Sequence, residues 1–180
     1  EDRVPPWLED ASKGWVTAEY AMLPRSTHTR TSRDHRTRGR AQEISRLIGR
    51  SLRASVDLGA LAGHTIKVDC DVMVADGGTR TASITGGYVA LALALDKLGV
   101  DPLFPVAAVS CGKVEGKLVV DLCYVEDSSA EVDLNLVLAP GGRLVEVQST
   151  AEHDFFSPDE LGLMVALGET AAEELFALQA

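Results

Sequence analysis

The sequence predicts a mixed α/β (α+β) fold, with mixed β-sheets flanked by helices. Three observations point there: apolar and β-branched runs of strand length, apolar residues at helical spacing between them, and two hairpin signals, Glu115-Gly116 and Pro140-Gly141-Gly142. The runs follow one another in no fixed strand–helix order, which favours mixed sheets over a purely parallel one. A length of 180 residues fits one domain over 1–180 and leaves room for two small ones. A chain this long holds a core without disulfides or a metal.

Taken in order, Val4-Pro5-Pro6-Trp7 reads as an extended loop, because each proline restrains the residue before it. Trp15 to Leu23 alternates as a strand and stops at Pro24. Residues 25 to 40 lack apolar periodicity and read as a loop. From Glu43 to Val56 the stripe Ile44, Leu47, Ile48, Leu52, Val56 predicts a helix, with Arg46, Arg50 and Arg53 off the stripe. His64 to Ala75 is β-branched and reads as a strand broken by Asp76-Gly77-Gly78. Thr81 to Leu98 reads as a buried helix despite Gly86 and Gly87. Phe104 to Ser110 and Lys117 to Tyr124 read as two strands, as do Glu131 to Ala139 and Arg143 to Ser149. The last helix has a strong start signal: Ser157 as N-cap, Pro158 at the first helical position and Glu160 closing a capping box.

Apolar residues make up 46% and charged residues 24%, which excludes disordered, collagenous and coiled-coil classes. The longest apolar run, Tyr88 to Leu95, has eight residues, against roughly 20 for a membrane-spanning helix. No signal-peptide pattern is visible, and a cytoplasmic protein without membrane contact is expected. Cys70, Cys111 and Cys123 form no CxxC pair and lie in strand-like segments, so they read as buried, reduced core thiols. His28, His35, His64 and His153 make no HxH or HxxxH pair, and no serine sits in a GxSxG elbow. A zinc site and a Ser-His-Asp hydrolase are thereby disfavoured.

The net charge of −10 argues against a general nucleic-acid binder, but the average conceals a segregation. Arg25 to Arg53 holds nine arginines against Asp34 and Glu43, a local +7, which leaves −17 on the rest. None of the five lysines falls in this stretch. Arginine alone suits a planar grip on phosphate or carboxylate; the alternative is a solvated, charge-rich helix face.

Residues 76 to 85, DGGTRTASIT, run a strand through two glycines into a helix. Glycines permit a tight turn, and the unpaired N–H groups of the helix start favour an anion. Arg80 and the Thr79 hydroxyl add a charge and a donor. This is a phosphate-sized anion site or an ordinary tight turn capped by Thr79 or Thr81. Further on, Asp121, Glu126, Asp127, Glu131 and Asp133 surround a run of strand character. If the chain turns at Ser128-Ser129, the carboxylates of Asp127 and Asp133 can converge. Such a pair holds a hard divalent cation or works as an acid/base couple; the plain alternative is a solvated acidic hairpin.

The stretches GWVTAEYAMLPRSTHTRTSR, RGRAQEISRLIGRSLRASVDL, IKVDCDVMVADGGTRTASITGGYVALA, VAAVS, DLCYVEDSSAEVDLNLV and LVEVQSTAE together resemble the bacterial ribonuclease PH family. The resemblance covers nearly the whole chain, in the family's order. That family opens with an N-terminal section, including a basic motif and the first strands, which has no counterpart here. The stretches around 31–39 and 99–105 are also shorter than usual. A chain lacking the first strands would expose a sheet edge.

The resemblance implies a ribonuclease PH-like fold and a phosphate-dependent 3′–5′ exoribonuclease. Such an enzyme trims tRNA precursor 3′ ends, releases nucleoside 5′-diphosphates and runs in reverse as nucleotide addition. It implies Arg40, Gly78, Thr79 and Arg80 as phosphate-binding residues, with Asp127 and Asp133 as catalytic and metal-binding. Arg25, Arg30 and Arg33 match positions linked to RNA binding and subunit contacts. It further implies Mg²⁺ (or Mn²⁺), inorganic phosphate as co-substrate, RNA with a single-stranded 3′ end as partner, and a homo-hexamer built as a trimer of dimers. A competing expectation is a catalytically silent, RNA-threading subunit of an exosome-like ring.

Overall fold

The computed structural model describes residues 1–8, 12–32 and 39–180. The chain divides into two compact units. Unit 1 comprises Glu1–Val74 and Gly86–Pro105; unit 2 comprises Ala75–Thr85 and Val106–Ala180.

In unit 1, β1 (Trp15–Met22) and β2 (Thr65–Val72) pair in parallel, from Trp15 opposite Thr65 to Met22 opposite Val72. Parallel neighbours require a crossover, and α1 (Gly39–Ala54) supplies it. Ile44, Leu47, Ile48 and Leu52 are buried as the periodicity predicts, and Val56 is buried just past the helix end. Ser45 Oγ accepts from the Tyr20 N–H at 2.9 Å, and Arg53 Nη1 donates to the Val16 carbonyl at 2.7 Å. Arg53 also stacks 4.3 Å over the Trp15 ring, which Trp7 meets edge-on. An arginine on the predicted polar side of the helix thus becomes a strut against β1.

Unit 2 is built on an antiparallel sheet of order β4-β3-β5-β6: β3 (Ala107–Val114), β4 (Lys117–Val120), β5 (Val132–Ala139) and β6 (Arg143–Ala151). A short α3 (Tyr124–Asp127) links β4 to β5. The final helix α4 (Pro158–Gln179) covers one sheet face, packing Met164 and Ala172 on Val109, Cys111, Leu134, Leu136 and Leu138. Its close approach passes over Gly168, where a Cβ would collide with Leu136 Cδ1 and press on Cys111 Sγ. At its start, Ser157 and Glu160 form the capping box. Lys113 Nζ of β3 meets Glu160 at 3.0 Å and Glu131 and Asp154 at 3.6 Å each. Helix α2 (Thr79–Lys97) begins in unit 2 and continues in unit 1.

The structure corrects several expectations. Pro6–Leu8 forms a 3-10 turn in place of an extended loop, since proline also suits the start of a helix. Helix α1 starts at Gly39, so Arg40 lies inside its first turn; polar residues hid that turn. Helix α2 starts at Thr79 and is not wholly buried: Val89 and Leu93 are exposed while Thr81, Ile84, Tyr88, Leu91 and Leu95 are inside. β3 runs from Ala107 to Val114, and β4 stops at Val120 because Asp121 takes a left-handed φ of 57°. Of the cysteines, only Cys111 is buried. Cys70 is half-buried on β2, and Cys123 caps α3 and belongs to no strand. All three are free thiols.

Candidate active site

The second face of the unit 2 sheet carries a polar grid, which the alternation of strand side chains produces. The ladder sets Ser110 (β3), Asn135 (β5) and Gln148 (β6) in one row. Gly112, Asp133 and Thr150 form the next. Every second residue of β5 therefore points away from the leucines packed under α4.

Gly77 and Gly78 bring the chain from unit 2's first residues into α2 with φ of 73° and 51°, the left-handed region that suits glycine. A Cβ on Gly77 would collide with the Leu122 carbonyl, so this turn depends on a bare backbone. Thr81 Oγ1 closes the first turn on the Gly78 carbonyl at 2.8 Å, and Ser83 Oγ does so on Thr79 at 2.8 Å. The side chain of Arg80 reaches the grid: its Nη1 donates to Gln148 Oε1 at 3.0 Å. Asp76 accepts from the Tyr124 N–H at 2.9 Å, tying the glycine turn to the start of α3.

Asp127 ends α3 and Asp133 begins β5, and the chain turns between them. Asp133 is half-buried, and both its oxygens receive Asn135 Nδ2, at 3.2 Å each. Burial, and then the charge of Asp127, push the Asp133 carboxyl above its ordinary range; Arg80 and Asn135 pull the other way. The chain turns at Ser128-Ser129, and the charge of Asp127 is felt at the Asp133 carboxyl. Of the other acidic residues, Glu126 caps α3 through the Cys123 N–H, and Glu131 pairs with Lys113.

Asp127 and Asp133, both half-buried, could together hold a hard divalent cation, since a 2+ charge relieves the repulsion between two carboxylates. Among the described residues no group of three His, Cys, Asp or Glu side chains could hold a metal. Two carboxylates are fewer ligands than a closed protein site needs, so a cation held here would take waters or substrate oxygens as its remaining ligands.

Gly78, Thr79, Arg80, Asp127 and Asp133 all fall in unit 2. Arg40 falls in unit 1 and is exposed on α1. Arg25 and Arg30 are exposed on a loop that closes on itself through Thr31 N–H to the Pro24 carbonyl at 3.0 Å. Arg33 and His35 lie outside the described residues. Sequence reasoning missed Ser110, Asn135 and Gln148. Asn135 and Gln148 stand on the polar half of the alternation in VDLNLVLA and RLVEVQSTA, and Ser110 within AAVSCGKV, but only the register, which sets them in one row, distinguishes them from solvated strand residues.

Sequence models of the 3′ exoribonuclease family match twice, domain 1 over residues 1–95 and domain 2 over 105–171. The fold and its matching halves thus place the molecule in the class of 3′ exoribonucleases. Among full-length relatives, the ribonuclease PH of Bdellovibrio bacteriovorus is 55% identical over all of this chain and 77% of its own length. That of Rhodospirillum rubrum is 53% identical over 99% and 79%. The chain belongs to the ribonuclease PH family and is an enzyme of its phosphorolytic nucleotidyltransferase type, a phosphate-dependent 3′–5′ exoribonuclease. Rice Rrp46 shares the fold at a TM-score of 0.75 and 18% identity, covering 93% of this chain and 72% of its own. An archaeal exosome core does so at 0.73 and 17%, covering 93% and 69%.

Proposed function

We propose that the enzyme trims the 3′ ends of tRNA precursors by phosphorolysis, releasing nucleoside 5′-diphosphates. One observation carries the assignment of its site: a helix N-terminus with Gly78, Thr79 and Arg80 in the same unit as the Asp127–Asp133 pair. The α2 N–H groups, the Thr79 hydroxyl and the Arg80 guanidinium hold inorganic phosphate. The family resemblance implies phosphate binding by Arg40 as well. A phosphate oxygen attacks the phosphorus of the terminal phosphodiester. The 3′ oxygen of the preceding nucleotide leaves with the bonding pair. Two anions must meet, so the protein's work is positioning and charge neutralisation, with no covalent enzyme intermediate. Asp127 and Asp133 would hold Mg²⁺ or Mn²⁺, which when bound neutralises phosphoryl oxygens.

The phosphodiester broken is exchanged for a phosphoanhydride in the nucleoside diphosphate, with no net hydrolysis, so excess nucleoside diphosphate drives nucleotide addition with release of inorganic phosphate. The resemblance assigns Arg25, Arg30 and Arg33 to single-stranded RNA, gripped through its phosphates. Homo-hexameric assembly as a trimer of dimers and a cytoplasmic location follow from the same family reading. Among the described residues no helix is long and apolar enough to cross a membrane.

The deciding assay incubates RNA bearing a 3′ extension with Mg²⁺, with and without inorganic phosphate. Shortening that needs phosphate and yields nucleoside diphosphates is expected. Shortening without phosphate would mean hydrolysis and overturn the roles of Arg40 and Arg80. An intact oligomer that binds RNA tightly and never shortens it would be the silent ring subunit.

A further inference from the structure

Of the five acidic residues between positions 121 and 133, Asp121 alone belongs neither to the aspartate pair nor to a cap or ion pair. Its φ of 57° turns the chain out of β4 through the left-handed region, which aspartate adopts at a cost. Ser110 fixes it there. The Asp121 N–H donates to the Ser110 carbonyl at 2.8 Å, and the Leu122 N–H donates to Ser110 Oγ at 3.2 Å. The glycine turn rests on this segment. Gly77 abuts the Leu122 carbonyl, Asp76 accepts from the Tyr124 N–H, and a methyl group on Gly78 would lie 3.9 Å from Asp121 Oδ1. A carboxylate oxygen therefore stands beside the residue that opens α2. Asp121 is exposed, and among the described residues its carboxylate has no hydrogen-bond donor and no counter-ion. The charges that reach Asp133 are those of Asp127, Arg80 and Glu152, so Asp121 belongs with the glycine turn and not with the aspartate pair.

An ionised carboxylate accepts hydrogen bonds and donates none. Beside an anion site it repels an oxyanion, unless that oxyanion brings a proton of its own. Inorganic phosphate near neutral pH keeps at least one P–OH; sulfate, of similar size and shape, keeps none. A group placed to accept that hydrogen disfavours the analogue that lacks it, because two bare oxygens then face each other. We propose that Asp121 is a specificity-determining residue, which accepts the P–OH hydrogen of inorganic phosphate and favours phosphate over sulfate. The same contact orients the anion. With the protonated oxygen turned to Asp121, the unprotonated oxygens face the α2 N–H groups, Arg80 and the RNA, and one of them is the nucleophile. This role rests on the reading of Gly78, Thr79 and Arg80 as the phosphate site.

The test assays the full enzyme with RNA, varied inorganic phosphate, and sulfate as a competing ion. Asp121→Asn keeps the shape and tolerates the left-handed backbone. Its amide offers an oxygen to the P–OH hydrogen and an NH₂ to a bare oxygen. Measured against the phosphate KM, sulfate is expected to inhibit Asp121→Asn about 10- to 100-fold more strongly than the parent, the range for one hydrogen bond to a charged group. RNA affinity should be retained. Asp121→Gly suits the backbone angle and removes the carboxylate, and should lose the discrimination as well. Arg80→Ala should weaken both ions alike, because a guanidinium grips either one.

An unchanged sulfate-to-phosphate ratio in both Asp121 variants, with a raised phosphate KM in Arg80→Ala, would overturn the role of Asp121 and leave the phosphate site standing. No change in any of the three variants would overturn both. A lower melting temperature in Asp121→Asn with the parent's ion ratio would make Asp121 a structural residue of the turn, and would also overturn the proposal. The parent enzyme supplies a test that needs no variant. If sulfate binds it as tightly as phosphate does, judged by the inhibition constant against the phosphate KM, the proposal fails.

Discussion

Asp133 shows how a single carboxylate is kept ready for chemistry. Desolvation and the neighbouring Asp127 disfavour its charge, while Asn135 and Arg80 restore part of it. Asp133→Asn keeps the shape and removes the charge. Turnover should fall about a hundredfold or more while RNA binding is retained, measured by phosphorolysis and by filter binding. A variant near the parent rate would remove Asp133 from the mechanism. Cys111 shows the opposite outcome of burial. Its thiol is pushed up to about 12, first by desolvation and then by the charge of Asp133. In the native enzyme Cys111 should be the last thiol to react with a disulfide reagent, and should be released only on unfolding. The turn at Ser128-Ser129 between Asp127 and Asp133 was legible from the sequence. Asn135 and Gln148 were not, because amides in a strand give no signal until the register sets them opposite each other.

Among the elements, α4 was the most legible and its anchoring the least. Ser157, Pro158 and Glu160 announce its start within four residues. The partner Lys113 is 47 positions away from Glu160 in sequence and meets it only after β3 has formed. Hydrogen bonds from the Ser157 backbone and from Lys113 hold Glu160 below the ordinary carboxylate range, while the Glu160 carboxylate raises Lys113. The lowered acid stabilises the fold above its unfolded value near 4.5 and loses that contribution as pH falls through its folded value. The raised base stabilises below 10.5 and loses its contribution as pH rises through its folded value. The melting-temperature gap between parent and Lys113→Met should therefore be widest from about pH 5 to 10 and close at both extremes. A gap independent of pH would mean that Lys113 contributes by packing alone. Helix α2 differs from its expected full burial because Tyr88 to Leu95 is apolar all round, so periodicity does not distinguish its buried face from its exposed one.

For the whole molecule, the segregation of charge was plain in the sequence, and the division into two units was not. Nothing in composition changes at Thr85 or Gly86, because α2 runs through that point as one helix. The mixed sheets and most strands were legible because alternation survives in half-buried strands, whereas the boundary at Val120 depended on a left-handed Asp121. Changing Arg25, Arg30 and Arg33 together to Ala should weaken binding of a tRNA precursor. It should also flatten the logarithmic salt dependence by about two, near 0.7 for each released single-strand contact. An unaltered slope would make the loop structural. A practical consequence lies at the opposite end of the unit 2 sheet. The β5–β6 turn at Pro140-Gly141-Gly142 is six to seven residues along β5 from Asp133, roughly 20 Å at 3.4 Å per residue. Gly141 itself holds a left-handed φ of 74° that strains any side chain, so the attachment belongs on the exposed Leu144 just past the turn. That end of the sheet is therefore a natural mounting point for a fluorophore or surface tether, from which single enzymes could be watched consuming RNA with the reporter standing clear of the chemistry.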